Sequence, residues 1–341
     1  MIGTPHSPAE PVPAVDISAL LEPGASNEEL LVASTAIDAA CRNVGFFGIV
    51  GHGVDTTLRV RLEEASRSFF AEPDHVKAQV AMPRAGKAWR GWFPVGGELT
   101  SGVPDLKEGL YVGLDHSAEH PRVRAGTPLH GLNQFPAAHP GLRDAVTHWL
   151  DALRPVADAV MRGIAVGLGM PATWFEEHLT ADPTILFRIF NYPAARTVTD
   201  ATAWGVGEHT DYGLLTLLAQ DHHGGLEVRR ADGTWIDVSA DPAVLVCNLG
   251  DMLERLTGGR YRSTPHRVRN VSGAARLSFP YFFDPSWDAT VPTLPLPDEN
   301  TEATAVDRWD DVDVLAWTGT YGDYLTAKVA KVFPELFADV S

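Results

Sequence analysis

Only two cysteines occur in the 341 residues, Cys41 and Cys247. Both sit in apolar surroundings (Ala39-Ala40-Cys41 and Leu245-Val246-Cys247), the pattern of buried free thiols. No disulfide framework is expected, and a reducing, cytoplasmic setting is. Basic residues are also in deficit: 27 Lys and Arg face 44 Asp and Glu, a net charge of −17. That sign repels nucleic-acid phosphates and anionic lipid surfaces, so neither nucleic acid nor membrane is an expected partner. A small anionic ligand in a locally basic pocket is not excluded. No apolar run approaches the roughly 20 residues that a membrane helix needs. Residues 1–13 lack the basic-then-apolar order of a signal peptide. Internal repeats and low-complexity tracts are missing too, so residues 1–341 are expected to form one domain.

What is present is ordinary globular material, 45% hydrophobic and 9% aromatic, enough for a sizeable core. A first strand is read over residues 12–18. Ser26-Asn27-Glu28-Glu29 then signals a helix start, followed by Leu30, Ala33, Ile37, Ala40 and Cys41 at helical period. Phe46-Phe47-Gly48-Ile49-Val50 reads as a buried strand, and 56–70 as a second helix. Residues 83–140 hold much Gly and Pro, with a structured loop or hairpin at 90–98 and a strand at 110–113. The clearest helix covers about 142–168, with Pro155 inside it. From Thr184 the texture changes to short strands punctuated by Gly224-Gly225, Asp232-Gly233 and Gly258-Gly259. Many short strands at this spacing indicate a sandwich or barrel. Asn248 and Asp251 are read as fixing a turn before a strand leading to Leu256. Residues 321–337 return to helix. The expected fold is mainly β with flanking helices. It divides into a mainly helical part (1–183) with the first strands and substrate loops, a jelly-roll core (184–290), and a C-terminal helix or lid (291–341).

The core holds the chemistry. His209 and Asp211 are two apart, which on a strand puts both side chains on one face. Ser263-Thr264-Pro265-His266-Arg267-Val268 offers a second imidazole on another strand. Two histidines and one carboxylate hold one face of a six-coordinate metal and leave three positions open, the pattern of a non-haem Fe(II) site. Arg276 and Ser278 are again two apart, and a guanidinium with a hydroxyl on one strand face can grip a carboxylate. Metal triad plus carboxylate clamp suits 2-oxoglutarate and O2 as co-substrates.

Five stretches also appear together and in order: Phe190-Asn191-Tyr192-Pro193, residues 207–218, Asn248-Leu249-Gly250-Asp251, residues 259–268, and Arg276-Leu277-Ser278. This set resembles the isopenicillin-N-synthase-like branch of the Fe(II)/2-oxoglutarate oxygenases. The resemblance implies a distorted double-stranded β-helix with His209, Asp211 and His266 on iron. It also implies that Arg276 and Ser278 hold the far carboxylate of 2-oxoglutarate, with Tyr192 beside it. Oxidative decarboxylation to succinate and CO2 would then drive oxidation, most simply hydroxylation, of a small molecule. Residues 89–98, Arg188 and 209–213 are further similar to bacterial ethylene-forming enzymes, in which an acid and an arginine hold an arginine co-substrate. Glu98 and Arg188 stand at similar places here. Trp92, Phe93, Tyr111, Tyr212, Phe282 and Phe283 are the other expected pocket residues. Three alternatives stand beside hydroxylation: an iron oxidase needing no keto acid, ethylene formation, and a jelly-roll binding protein without turnover.

Overall fold

The computed structural model describes residues 12–100, 102–194, 204–270, 272–294, 296 and 313–334. Ser26 opens the helix Asn27–Asn43 through a reciprocal cap, its hydroxyl accepting from the Glu29 N–H while the Glu29 carboxylate accepts from the Ser26 N–H. Asp55 caps the helix Thr56–Phe70 by accepting from the Thr57 N–H. Both pack on the long helix Pro140–Gly167, which buries Val146, Leu153, Val160 and Ile164 at helical spacing and continues through Pro155. Among the described residues no helix is long and apolar enough to cross a membrane.

These helices back a large sheet. In spatial order its strands are β1 (Ala14–Asp16), β2 (Phe46–Val50), β12 (Leu245–Leu249), β9 (Leu215–Gln220), β14 (Arg276–Ser286), β7 (Pro183–Tyr192), β6 (Glu108–Gly113) and β3 (Gly91–Phe93). All neighbours are antiparallel except β1 and β2. A smaller antiparallel sheet runs β11 (Trp235–Asp237), β10 (Leu226–Arg229), β13 (His266–Val268) and β8 (Val206–His209). A short ladder joins β4 (Leu99–Thr100) to β5 (Val103–Pro104). The two main sheets form the jelly-roll core, and the cavity between them is lined from both.

Two differences from expectation matter for the site. Half the strands of the large sheet (β1, β2, β3 and β6) come from before residue 183, so the core is not confined to 184–290. These segments are readable as strands or hairpin from sequence, but that they join β12, β9, β14 and β7 in one sheet follows only from long-range pairing. Residues Asp251–Leu256 form a helix where a strand was expected. Met252, Leu253 and Leu256 make an apolar run too short for periodicity to separate the two.

The C-terminal helix Tyr321–Val332 is capped reciprocally by Thr320 and Asp323. It is tied to the core by Tyr324, whose hydroxyl donates to the buried Asp251 carboxylate at 2.6 Å, and by Tyr321, which donates to Asp284 at 2.5 Å. Much of the expected 291–341 lid, Phe337 included, lies outside the described residues.

Candidate metal centre

His266 on β13 is registered directly opposite His209 at the end of β8, which brings the imidazole centroids to 4.2 Å. Asp211 lies just past β8 and bridges to Gly250, so it approaches from the turn and not from the same strand as His209. The His209 and His266 Nε2 atoms stand 4.0 and 3.9 Å from Asp211 Oδ1. One ligand atom from each residue falls within 4.8 Å of the others, a spacing that a single ion can bridge.

The surroundings aim those atoms. His209 Nδ1 lies 2.8 Å from the Gly207 carbonyl, and His266 Nδ1 lies 3.1 Å from the Thr264 carbonyl. Each Nδ1 therefore carries the proton and donates it, leaving the Nε2 lone pair facing the centre. Phe46 packs edge-on against His266 and limits its rotation. Asp211 Oδ2 accepts from the Thr216 hydroxyl at 2.5 Å and from the Asn248 amide at 2.6 Å, so Oδ1 is the oxygen left for a metal. Burial lowers the pKa of both imidazoles, that of His266 to about 4, with the facing His209 adding to it. Burial alone would raise Asp211, but the two imidazoles and the hydrogen bonds from Asn248 and Thr216 outweigh it and hold the carboxyl below its usual range. Neutral imidazoles beside an ionised carboxylate are the donor set of a divalent metal.

Arg276 and Ser278 share a face of β14 and line the same cavity. Tyr192 pairs with Arg276 across β7; its ring centroid lies 4.6 Å from the guanidinium carbon and its hydroxyl 3.3 Å from Ser278 Oγ. Arg276 is fully buried. Gln220 Oε1 accepts from Nη2 at 3.0 Å, while Nε and Nη1 have no hydrogen-bond partner among the described residues. A buried guanidinium in that condition needs an anion. The far carboxylate of a bound 2-oxoglutarate would meet that need. Asn248, Thr216 and Gln220 are the supporting residues that sequence reasoning missed. Their strand positions were readable, but which carboxylate or guanidinium they face depends on pairing across β9, β12 and β14.

The expected pocket residues divide. Arg188, Glu98, Tyr212 and Phe282 line the main cavity, which measures about 90 Å³. Arg188 lies over the Tyr111 ring at 4.0 Å and near the Phe282 ring at 4.8 Å, and it forms no ion pair among the described residues. Glu98 pairs with Lys107 at 2.7 Å and accepts from the Tyr111 hydroxyl. Tyr111 therefore braces Glu98 and Arg188 and lines a smaller side cavity instead. Trp92 is not at the main cavity: its indole N–H donates to Glu108 at 2.8 Å, on the opposite face of β3. Phe283 is not there either, because the alternation of β14 sends it to the long helix, where Arg154 covers its ring. Phe93 packs on Tyr111, Phe190 and Phe333, outside the cavity lining. Sequence alone could not say which parity of each strand faced inward.

A jelly-roll core with an open His-Asp-His centre and a buried arginine for an anionic co-substrate defines a mononuclear non-haem iron oxygenase. Comparison with known proteins places the chain more narrowly. Residues 184–285 match the model of the 2OG-Fe(II) oxygenase superfamily, and residues 12–138 match that of the non-haem dioxygenase in morphine synthesis N-terminal region. A probable iron/ascorbate oxidoreductase of Dictyostelium discoideum is 43% identical, over 96% of both chains. A homoarginine-6-hydroxylase of Glycine max is 34% identical, over 95% of this chain and 98% of that one. A full-length Neurospora crassa protein, solved in complex with alpha-KG (2-oxoglutarate), superposes with a TM-score of 0.75 at 27% identity, over 94% of this chain and 96% of that one. The chain belongs to the 2OG-Fe(II) oxygenase superfamily. It is a 2-oxoglutarate-dependent dioxygenase that uses Fe(II) and O2.

Proposed function

We propose that this dioxygenase hydroxylates a small molecule bearing a carboxylate, which Arg188 anchors at the cavity wall. The observation that carries this reading is the cavity-facing Arg188 guanidinium, which has aromatic neighbours and no ion-pair partner among the described residues. Burial works against its charge, but Tyr111 and Glu98 outweigh that and hold it protonated. The Glu98 oxygens, however, are already engaged by Lys107 and Tyr111. An incoming carboxylate gives Arg188 the partner that the protein does not. Tyr212, Phe282 and Leu325 supply apolar surface beside it. The amino-acid substrate class in the name of the Glycine max relative supports the same choice.

In this reading Arg276, Ser278 and Tyr192 orient 2-oxoglutarate, and His209, Asp211 and His266 hold iron. When bound, these two groups supply O2-derived oxidising power against an unactivated C–H bond, with succinate and CO2 as co-products. The protein positions the C–H bond and excludes water. The ordered motifs support the isopenicillin-N-synthase-like branch. The two buried free thiols support a cytoplasmic setting, and the charge of −17 supports a small-molecule substrate over nucleic acid.

The test is succinate release by the Fe(II)-loaded enzyme against a panel of amino acids, homoarginine included, and of matched neutral analogues. A carboxylate substrate should gain one oxygen, and Arg188→Met should lower its kcat/KM by roughly 100-fold or more. A neutral substrate turned over equally by both enzymes would refute the proposal.

A further inference from the structure

Residues 211–214 run between β8 and β9 and carry the metal ligand Asp211, so no strand ladder holds them in place. The start of the helix Asp251–Leu256 holds them from one side. The Asp251 N–H donates to the Asp211 carbonyl at 2.8 Å, the Met252 N–H to the Gly213 carbonyl at 3.0 Å, and the Gly250 N–H to the Leu214 carbonyl at 3.0 Å. Glycine permits this approach: a Cβ on Gly250 would stand 2.4 Å from the Gly213 oxygen, and one on Gly213 only 1.4 Å from Asp284 Oδ1. Asp284, residues 211–214 and the start of that helix are therefore stacked with no side chain between them.

Three side chains of the C-terminal helix Tyr321–Val332 reach the same stack. Tyr321 donates to Asp284 Oδ2 at 2.5 Å, on the carboxylate that abuts Gly213. Tyr324 donates to Asp251 Oδ2 at 2.6 Å, and Lys328 Nζ lies 3.5 Å from that oxygen. The Lys328 ammonium also stands 5.3 Å from the centroid of the Tyr212 ring, which lines the main cavity beside Asp211. Asp251 and Lys328 are buried, 0% and 3% exposed. Leu325 and Val332 of the same helix already cover the cavity with apolar surface. A buried ion pair adds little net stability over an apolar pair of similar volume, so this one is better explained by the geometry it fixes.

We infer that Asp251, Tyr324 and Lys328 are positioning residues for the metal centre: they clamp the segment that carries Asp211, so that the docked C-terminal helix and the bound metal favour each other. Asp251 is the link, with its main chain on Asp211 and its side chain on the helix. Such coupling is reciprocal. Whatever factor the docked helix adds to metal affinity, the metal must add to docking. The inference stands whatever the substrate proves to be.

Amide hydrogen exchange of the full chain, with and without Fe(II) under anaerobic conditions, provides the test. Iron should slow exchange in residues 321–332 by at least about fivefold more than in the helix Asn27–Asn43, which lies behind the large sheet. Lys328→Met should shrink that difference and weaken Fe(II) binding in competition with a chromophoric chelator, by no more than the same factor. Equal slowing of the two helices would report general stabilisation only and would overturn the inference. A folded Lys328→Met protein that binds iron as tightly as the parent would overturn it too. If that variant fails to fold, the comparison of the two helices in the unaltered protein decides.

Discussion

Removing the Asn248 amide should weaken iron binding while leaving every ligand in place. Asn248 is 2% exposed, and its Nδ2 donates to Asp211 Oδ2 at 2.6 Å. A hydrogen bond to a buried carboxylate contributes about 1.5–3 kcal/mol, and the orienting partners of metal ligands typically account for about 10–100-fold in affinity. In Asn248→Ala the Thr216 hydroxyl still holds the same oxygen at 2.5 Å, so the site should loosen without collapsing. Anaerobic competition between the protein and a chromophoric chelator for Fe(II) measures the effect, with circular dichroism confirming the fold. The expected loss is about 10–100-fold. Thr216→Val combined with Asn248→Ala should cost more than the two single losses added, because both restrain one oxygen. A folded Asn248→Ala protein with iron affinity within about twofold of the parent would refute this account of how Asp211 is aimed.

Arg276→Gln should raise the apparent KM for 2-oxoglutarate by an amount worth about 2–4 kcal/mol, read from succinate release; an unchanged KM would place the far carboxylate elsewhere. Phe282→Ala should alter turnover with little change in stability, whereas Phe283→Ala should cost about 3–5 kcal/mol of stability in chemical denaturation. Equal effects would contradict the assigned strand parity. Burial raises the Asp284 pKa from 3.8 to about 7. Between those values the folded carboxyl keeps a proton that the unfolded one has lost, so stability falls as pH rises from about 4 to about 7 and levels off above. The shift corresponds to roughly 4 kcal/mol. Asp284→Asn keeps an acceptor for Tyr321, so the iron-free variant should lose less melting temperature between pH 5 and pH 8 than the parent does. Parallel losses would show that Asp284 does not titrate in this range.

The metal triad was legible in sequence because iron chemistry constrains residue type and spacing together, and because the Arg276-x-Ser278 pair follows at a strand-compatible distance. The flanking helices were legible from their caps and apolar period, as at Ser26 and along 142–168. Strand parity was not: Trp92 and Phe283 looked as suitable for a pocket as Phe282, and only pairing with β6 and β7 turned them away. Asn248 was read as a turn residue because nothing local shows that its amide spans from β12 to Asp211. Arg188 and Glu98 were both placed near substrate, yet the engagement of Glu98 by Lys107 is a contact between residues on separate elements. The N-terminal strands were legible in sequence, as at 12–18, 46–50 and 110–113, but their membership of the large sheet was not, because β2 joins it through β12 and β6 through β7, partners far away in sequence.

The central claim is that this cavity binds Fe(II) and 2-oxoglutarate together. Anaerobic titration of the Fe(II)-loaded protein with 2-oxoglutarate, followed by visible absorption, tests it most directly. A weak charge-transfer band should grow to saturation, and Asp211→Ala and His266→Ala should abolish it. Iron binding with no such band at saturating 2-oxoglutarate would contradict the claim.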